Sequence, residues 1–178
     1  LHEIVGMAVQ AQSMSANSID FLIEVFGTLA NIQLPGVLYS ELLLKHNFLE
    51  FIMKHLVLGF ADDDMILQAI MVLSTLALDP KAASIMGNNR LIRMLHDILN
   101  EKTQDVEIVL QLTFLLFKLL IHPHSREAIV SHDRLTYCIL DLVMDPNADV
   151  RRIANLMLDI ICEHDEDWME RIRDKRFE

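Results

Sequence analysis

The sequence predicts an all-α protein with one continuous core. Only 5 Gly and 4 Pro occur in 178 residues, which disfavours β-rich and loop-rich folds. Leu, Ile, Met, Ala and Glu dominate, and these residues favour helices. Apolar residues also recur at helical spacing in each long segment. With 52% hydrophobic residues, the chain is long enough for one domain with a substantial core.

A helical unit repeats along the chain and is clearest in residues 105–149. There a long apolar helix, a break at His122-Pro123, a short helix, a second break and another apolar helix follow one another. A turn followed by a helix recurs around Leu49, Leu91 and Leu135: Leu49 to Leu91 is 42 residues and Leu91 to Leu135 is 44. The sequence therefore predicts a period in the low forties.

The long helices repeat with the same spacing. Four apolar positions are equivalent, each with another apolar residue four positions earlier: Phe26, Leu73, Leu116 and Leu158. The first interval is longer than the other two by four or five residues, and we assign the excess to residues 33–39, which contain Pro35-Gly36. An all-helical period of this length indicates an α-solenoid of the HEAT or armadillo kind. Three helices per unit favour armadillo-type repeats.

We expect about three to four repeats. The approximate units are 1–62, 63–104, 105–148 and 149–178, with the last one incomplete. Neither end is visibly capped by polar residues, and solenoids need such caps, so we expect the array to continue on both sides.

Polar residues mark the helix ends. Residues 13–18 read as a loop in which Asn17 or Ser18 caps the next helix, and Gly59 reads as a C-terminal cap. Asp62 and the two aspartates after it lack the spacing and the glycine of an EF-hand calcium loop. We interpret them as capping residues that complement the helix macrodipole.

The charge and the cysteines limit the class of protein. The net charge of −11 argues against nucleic-acid or anionic-membrane binding, and it is compatible with a basic partner or with a merely soluble surface. Cys138 and Cys162 lie in apolar helical runs without CxxC spacing, which indicates free thiols and is consistent with a reducing compartment such as the cytoplasm. The most apolar run, 108–121, is too short to span a membrane.

No catalytic motif is present, and we predict no catalytic residue, cofactor or metal site. HExxH, GxSxG and P-loop patterns are missing. His122 and His124 flank Pro123 in what reads as an interhelical loop, and the acidic run 163–167 reads as a helix junction before Trp168. An enzyme or metal protein built on these residues is an alternative with little support.

A candidate groove follows from the solenoid geometry. In armadillo proteins that bind extended basic peptides, an Asn and a Trp on each long helix face the concave surface. The candidate groove consists of the Asn-equivalent residues Thr28, Thr75, Lys118 and Ile160 and the Trp-equivalent residues Glu24, Met71, Phe114 and Leu156.

The candidate groove has no Asn ladder, so it is not built to hold an extended peptide backbone. Met71 and Phe114 make its middle apolar, and Glu24 makes one end negative. This pattern suits an amphipathic helix or a folded partner with a basic rim. The alternative is that packing within the protein covers these apolar residues.

Three segments resemble one family. They are LIEVFGTLANIQLP (22–35), LLLKHNFLEFIMKHL (42–56) and DPNADVRRIANLMLDIICEHDEDWMERIRDKRFE (145–178). They resemble the C-terminal armadillo region of kinesin-associated proteins, the non-motor subunits of heterotrimeric kinesin. The similarity is strongest in GTLAN (27–31) and LDIICEHDEDWMERI (158–172) and runs over essentially the whole chain.

The resemblance implies a cytoplasmic adaptor without enzymatic activity. Such a protein forms a heterotrimer with two motor chains by binding their tails, and it links them to cargo adaptors for microtubule-based transport, including intraflagellar transport in cilia. The family offers no short motif that places these surfaces on this sequence. A transport receptor for basic peptides and a generic armadillo scaffold remain alternatives, and the missing Asn ladder counts against the first.

Overall fold

The computed structural model describes residues 1–11, 18–32 and 36–176. Within these ranges the chain forms twelve α-helices, one 3-10 turn and no strand. About 80% of the structure is helical, which confirms the predicted all-α solenoid class. Of the predicted loop at residues 13–18, residues 13–17 with the Asn17 cap lie outside the described residues, as does Pro35, and Ser18 is the first residue of the second helix.

From the second helix onwards the helices recur in the order long, short and medium. Their bounds are α1 His2–Ala11, α2 Ser18–Asn31, α3 Tyr39–Lys45, α4 Phe48–Lys54, α5 Asp63–Leu76, α6 Pro80–Met86, α7 Asn89–Glu101, α8 Val106–Leu120, α9 Pro123–Val130, α10 Asp133–Asp141, α11 Ala148–His164 and α12 Glu166–Arg176. The 3-10 turn is Leu142–Met144, between α10 and α11.

The long, the short and the medium helices form three rows. The long helices α2, α5, α8 and α11 each pack against the next, and this row carries the most extensive contacts between elements. The short helices α3, α6 and α9 form a second row, and the medium helices α7 and α10 pack against each other. The helices of these rows therefore contact their equivalents in the neighbouring units, as in a solenoid. The unit boundaries themselves stay a prediction.

The equivalent positions predicted from the sequence lie in one core. Phe26, Leu73, Leu116 and Leu158 are all fully buried. The residues four positions earlier are buried as well: Leu22, Ala69, Leu112 and Ala154. Because residues i and i+4 are buried on every long helix, each long helix has an apolar face that packs against the rest of the protein.

The fourth helix is shorter than its apolar pattern predicts. The sequence predicts a helix over 48–58, but α4 ends at Lys54. The backbone N–H groups of His55 and Leu56 donate to the carbonyls of Ile52 and Met53, three residues back, and this tightens the last turn. Gly59 has φ +76° and lies in the turn that follows, so it does not cap the helix directly.

The histidines around Pro123 lie differently from the prediction. They do not belong to an open loop, because α9 begins at Pro123 directly after His122. Pro suits the first helical position, since its missing N–H would have no partner there. His122 is the N-cap residue, and His124 is an exposed residue in the first turn of α9.

Side chains from one long helix bind carbonyls at the end of the preceding one. Thr75 Oγ1 on α5 donates to Ala30 O on α2 at 2.6 Å, and Lys118 Nζ on α8 donates to Ser74 O on α5 at 3.0 Å. These carbonyls lie in the last turn of a helix, where intrahelical partners run out. The backbone N–H of Leu78 turns to Thr75 O, which leaves Ser74 O for Lys118.

We predict that Thr75→Val destabilises the protein by about 1–3 kcal/mol, because it leaves the buried Ala30 carbonyl without this donor. Thr113→Val is the matched control. The Thr113 hydroxyl is equally buried, but it donates to Val109 O within its own helix, where the backbone already supplies a donor. Urea unfolding of both variants measures the difference, and equal losses of stability would contradict the inter-helix role of Thr75.

Candidate functional site

The eight residues of the candidate groove lie on four consecutively packed helices. Glu24 and Thr28 are exposed on α2, Met71 is half-buried and Thr75 is buried on α5. Phe114 and Lys118 are half-buried on α8, and on α11 Leu156 is exposed and Ile160 half-buried. The structure thus places all eight residues on one row of helices. Thr75 differs from the other seven because it is buried.

Three of the four Asn-equivalent positions do not present a free hydrogen-bond donor, and Lys118 is the exception. The Thr28 hydroxyl donates to Glu24 O in its own helix at 2.8 Å. Thr75 is only 4% exposed, and its hydroxyl is used by Ala30 O. Ile160 has no polar side-chain atom. A partner backbone therefore finds no amide ladder along this surface.

The middle of the candidate groove is apolar on both central helices. Met71 and Phe114 each pack partly on the core and remain half-buried. Sequence reasoning missed four further apolar residues, two on the same helices and two just past their last residues. Together they form the apolar stripe, which consists of Leu67, Met71 and Leu78 beside Leu110, Phe114 and Ile121.

The signal for the missed residues is present in the sequence. Leu67 and Leu110 precede Met71 and Phe114 by one turn, and Leu78 and Ile121 follow them by two turns. Leu78 and Ile121 are 46% and 49% exposed, so the stripe reaches the ends of both helices. Extending the equivalence by whole turns in both directions would have found them.

One edge of this surface is acidic. Asp64, Glu107 and Asp149 are exposed in the first turns of α5, α8 and α11, each two turns before Met71, Phe114 or Leu156. At helix N-termini they complement the macrodipole, as the sequence predicted for Asp64 alone among these three. They also place a row of carboxylates along the apolar stripe.

Lys118 is the one basic side chain on α2, α5 and α8. Its ammonium is half-buried, and desolvation lowers its pKa. Among the residues that the structure describes, no carboxylate forms an ion pair with it. Its only hydrogen bond to the described part of the chain is the one to Ser74 O.

The residues considered for catalysis have structural contacts. His122 Nε2 lies 3.1 Å from Ala77 O, at the end of α5. In the acidic run, Asp165 Oδ1 accepts from the backbone N–H of Trp168 at 2.8 Å and so caps α12. Over the described ranges no three His, Cys, Asp or Glu side chains gather as metal ligands.

No single helix in the described part of the chain is long and apolar enough to cross a membrane. The helices α8 and α9 reach that length and composition only as a pair, and the chain bends by 119° between them.

Two comparisons relate this chain to known proteins. It is similar in fold to an engineered protein whose crystal structure comes from the Northeast Structural Genomics Consortium: the TM-score is 0.76 at 17% identity, over 96% of this chain and 67% of that one. At that identity the likeness concerns the fold alone. The family model described as kinesin-associated protein (KAP) matches residues 3–178. The chain therefore belongs to the kinesin-associated protein family.

Proposed function

We propose that this chain is a non-catalytic adaptor that binds the paired tails of two kinesin motor chains and links the motor to cargo. The family membership supports a kinesin-associated role. The single observation that supports the surface is the half-buried pair Met71 and Phe114, side by side on adjacent long helices. The heterotrimer, the cargo link and the location in the cytoplasm, on the cytoskeleton and in cilia rest on the family alone.

The arrangement of the apolar stripe beside the acidic edge favours an amphipathic helix as the segment of the motor tail that binds. The apolar stripe supplies a surface for apolar side chains at i, i+3 and i+4 of a partner helix. The acidic edge, with Asp64 and Glu107, attracts basic residues on one side of that helix. A helix satisfies its own backbone, so it needs no Asn ladder.

We predict that Met71→Glu combined with Phe114→Glu weakens tail binding by at least about 100-fold, since central apolar residues of an interface each contribute about 2 kcal/mol or more. Both side chains are partly solvent-exposed, so the fold tolerates a carboxylate at their tips. The measurement is the affinity of the full-length protein for the paired tail regions by titration calorimetry, with circular dichroism to check helicity.

The matched control is Leu44→Glu combined with Met144→Glu. These residues are 71% and 83% exposed and lie outside the candidate groove, so this variant should bind the tails as the wild type does. If the groove variant keeps its affinity while helicity is unchanged, the groove is not the tail-binding surface.

The second candidate function is a transport receptor for extended basic peptides, and the acidic edge is the observation that favours it. We predict that a Lys- and Arg-rich extended peptide does not bind at moderate salt, because Thr28 and Thr75 direct their hydroxyls to carbonyls of the chain itself. Fluorescence anisotropy with a labelled peptide tests this. Binding that competes with the motor tails and survives about 0.3 M salt, where exposed charge pairs are largely screened, would favour the receptor instead.

A further inference from the structure

Lys118 stands alone as a cation on the central part of the long-helix row. The helices α2, α5 and α8 carry several acids but no other Lys or Arg. The neighbours of Lys118 at the equivalent positions are the hydroxyl of Thr75 and the apolar side chain of Ile160. Phe114 lies one turn before it on α8, and Ile121 is the C-cap residue that follows this helix.

The fold itself needs a hydrogen-bond donor at this position, but it does not need a charge. Lys118 Nζ satisfies Ser74 O, and Thr75 performs the equivalent task for Ala30 O one unit earlier with a neutral hydroxyl. An ammonium has three N–H donors, and this contact uses one of them. Two donors and the positive charge therefore remain for another group.

The charge is costly where it lies. A half-buried ammonium loses part of its hydration, and the pKa of Lys118 is lowered by that desolvation without relief from a nearby carboxylate. Buried or partly buried charges are ordinarily paired. The negative end of the α5 macrodipole at Ser74 O offsets part of the cost, and a carboxylate from outside the chain would offset the rest.

We propose that Lys118 binds a carboxylate of the motor-tail segment that occupies the candidate groove. This inference rests on the proposed function and makes it more specific: the tail helix carries one Asp or Glu within its otherwise apolar face, and its basic residues lie toward Asp64 and Glu107. The pair fixes the register of the helix along the apolar stripe, because Lys118 is the one Lys or Arg on the two helices that carry the stripe.

The test compares three substitutions in the full-length protein, with the paired tail regions of the two motor chains as the probe. Lys118→Gln keeps an N–H for Ser74 O and removes the charge, so it should unfold at the same urea concentration as the wild type and bind the tails about 10- to 100-fold more weakly. Lys118→Arg keeps the charge and should bind within about 10-fold of the wild type. Lys118→Glu should bind more weakly than Lys118→Gln.

The carboxylate is then located on the tails. Each tail Asp or Glu is replaced by Asn or Gln in turn, and one replacement should weaken binding to the wild type but not to Lys118→Gln, as expected for a coupled pair. Lys at that tail position should restore binding to Lys118→Glu.

The outcomes separate this inference from the proposed function. If Lys118→Gln binds as the wild type does while Met71→Glu with Phe114→Glu does not bind, the groove stands and the carboxylate pair is wrong. The pair is also wrong if Lys118→Gln weakens binding but no tail carboxylate couples to it. If Lys118→Gln and the Met71→Glu, Phe114→Glu variant both bind the tails with wild-type affinity, the proposed function and this inference are both wrong. The same holds if the wild type does not bind the tails.

Discussion

The packing of each long helix against the next is the constraint on which the rest of the structure depends. It buries Phe26, Leu73, Leu116 and Leu158 at equivalent depths and so sets the helices side by side. The hydrogen bonds from Thr75 and Lys118 to the preceding helix join the same helices at positions of the candidate groove. Because a repeat contacts only its neighbours, the position of every surface residue on these helices follows from this row.

The row also decides what kind of partner the surface can take. The Thr28 and Thr75 hydroxyls at the Asn-equivalent positions donate to the protein's own carbonyls, so they are not available to hold an extended peptide. What remains open is the apolar stripe with a carboxylate row on one side. As proposed above, a surface of that kind suits a partner whose backbone is already satisfied and whose side chains are segregated into an apolar and a basic face.

Much of the fold could be predicted from the spacing of apolar residues. The intervals around Leu49, Leu91 and Leu135 predicted repeating helical units, and the polar residues near Trp168 predicted a capped junction, at which Asp165 lies. The early end of α4 was missed, because the apolar pattern continues beyond Lys54 while the backbone N–H groups of His55 and Leu56 tighten the turn. A pattern of side chains does not report such local backbone geometry.

The helices that carry the candidate residues could be predicted, but the surroundings of these residues could not. Repeat equivalence placed Met71 and Phe114 correctly on adjacent long helices. The burial of Thr75 could not be predicted. It comes from tertiary packing that brings the Thr75 hydroxyl to a carbonyl 45 residues away. The lack of an ion pair for Lys118 among the described residues could not be predicted either, since an ion pair forms between tertiary neighbours that the sequence does not place.

The most direct test of the account is site-specific photo-crosslinking of the full-length protein to the paired motor tails. A benzophenone-bearing residue replaces Phe114 in one variant and Glu127, an exposed residue of α9 in the short-helix row, in the other. The account predicts an efficient crosslink to a tail from position 114 and none from position 127. A crosslink from 127 alone, with tail binding intact in both variants, would contradict the assignment of the open face of the long helices as the motor-binding surface.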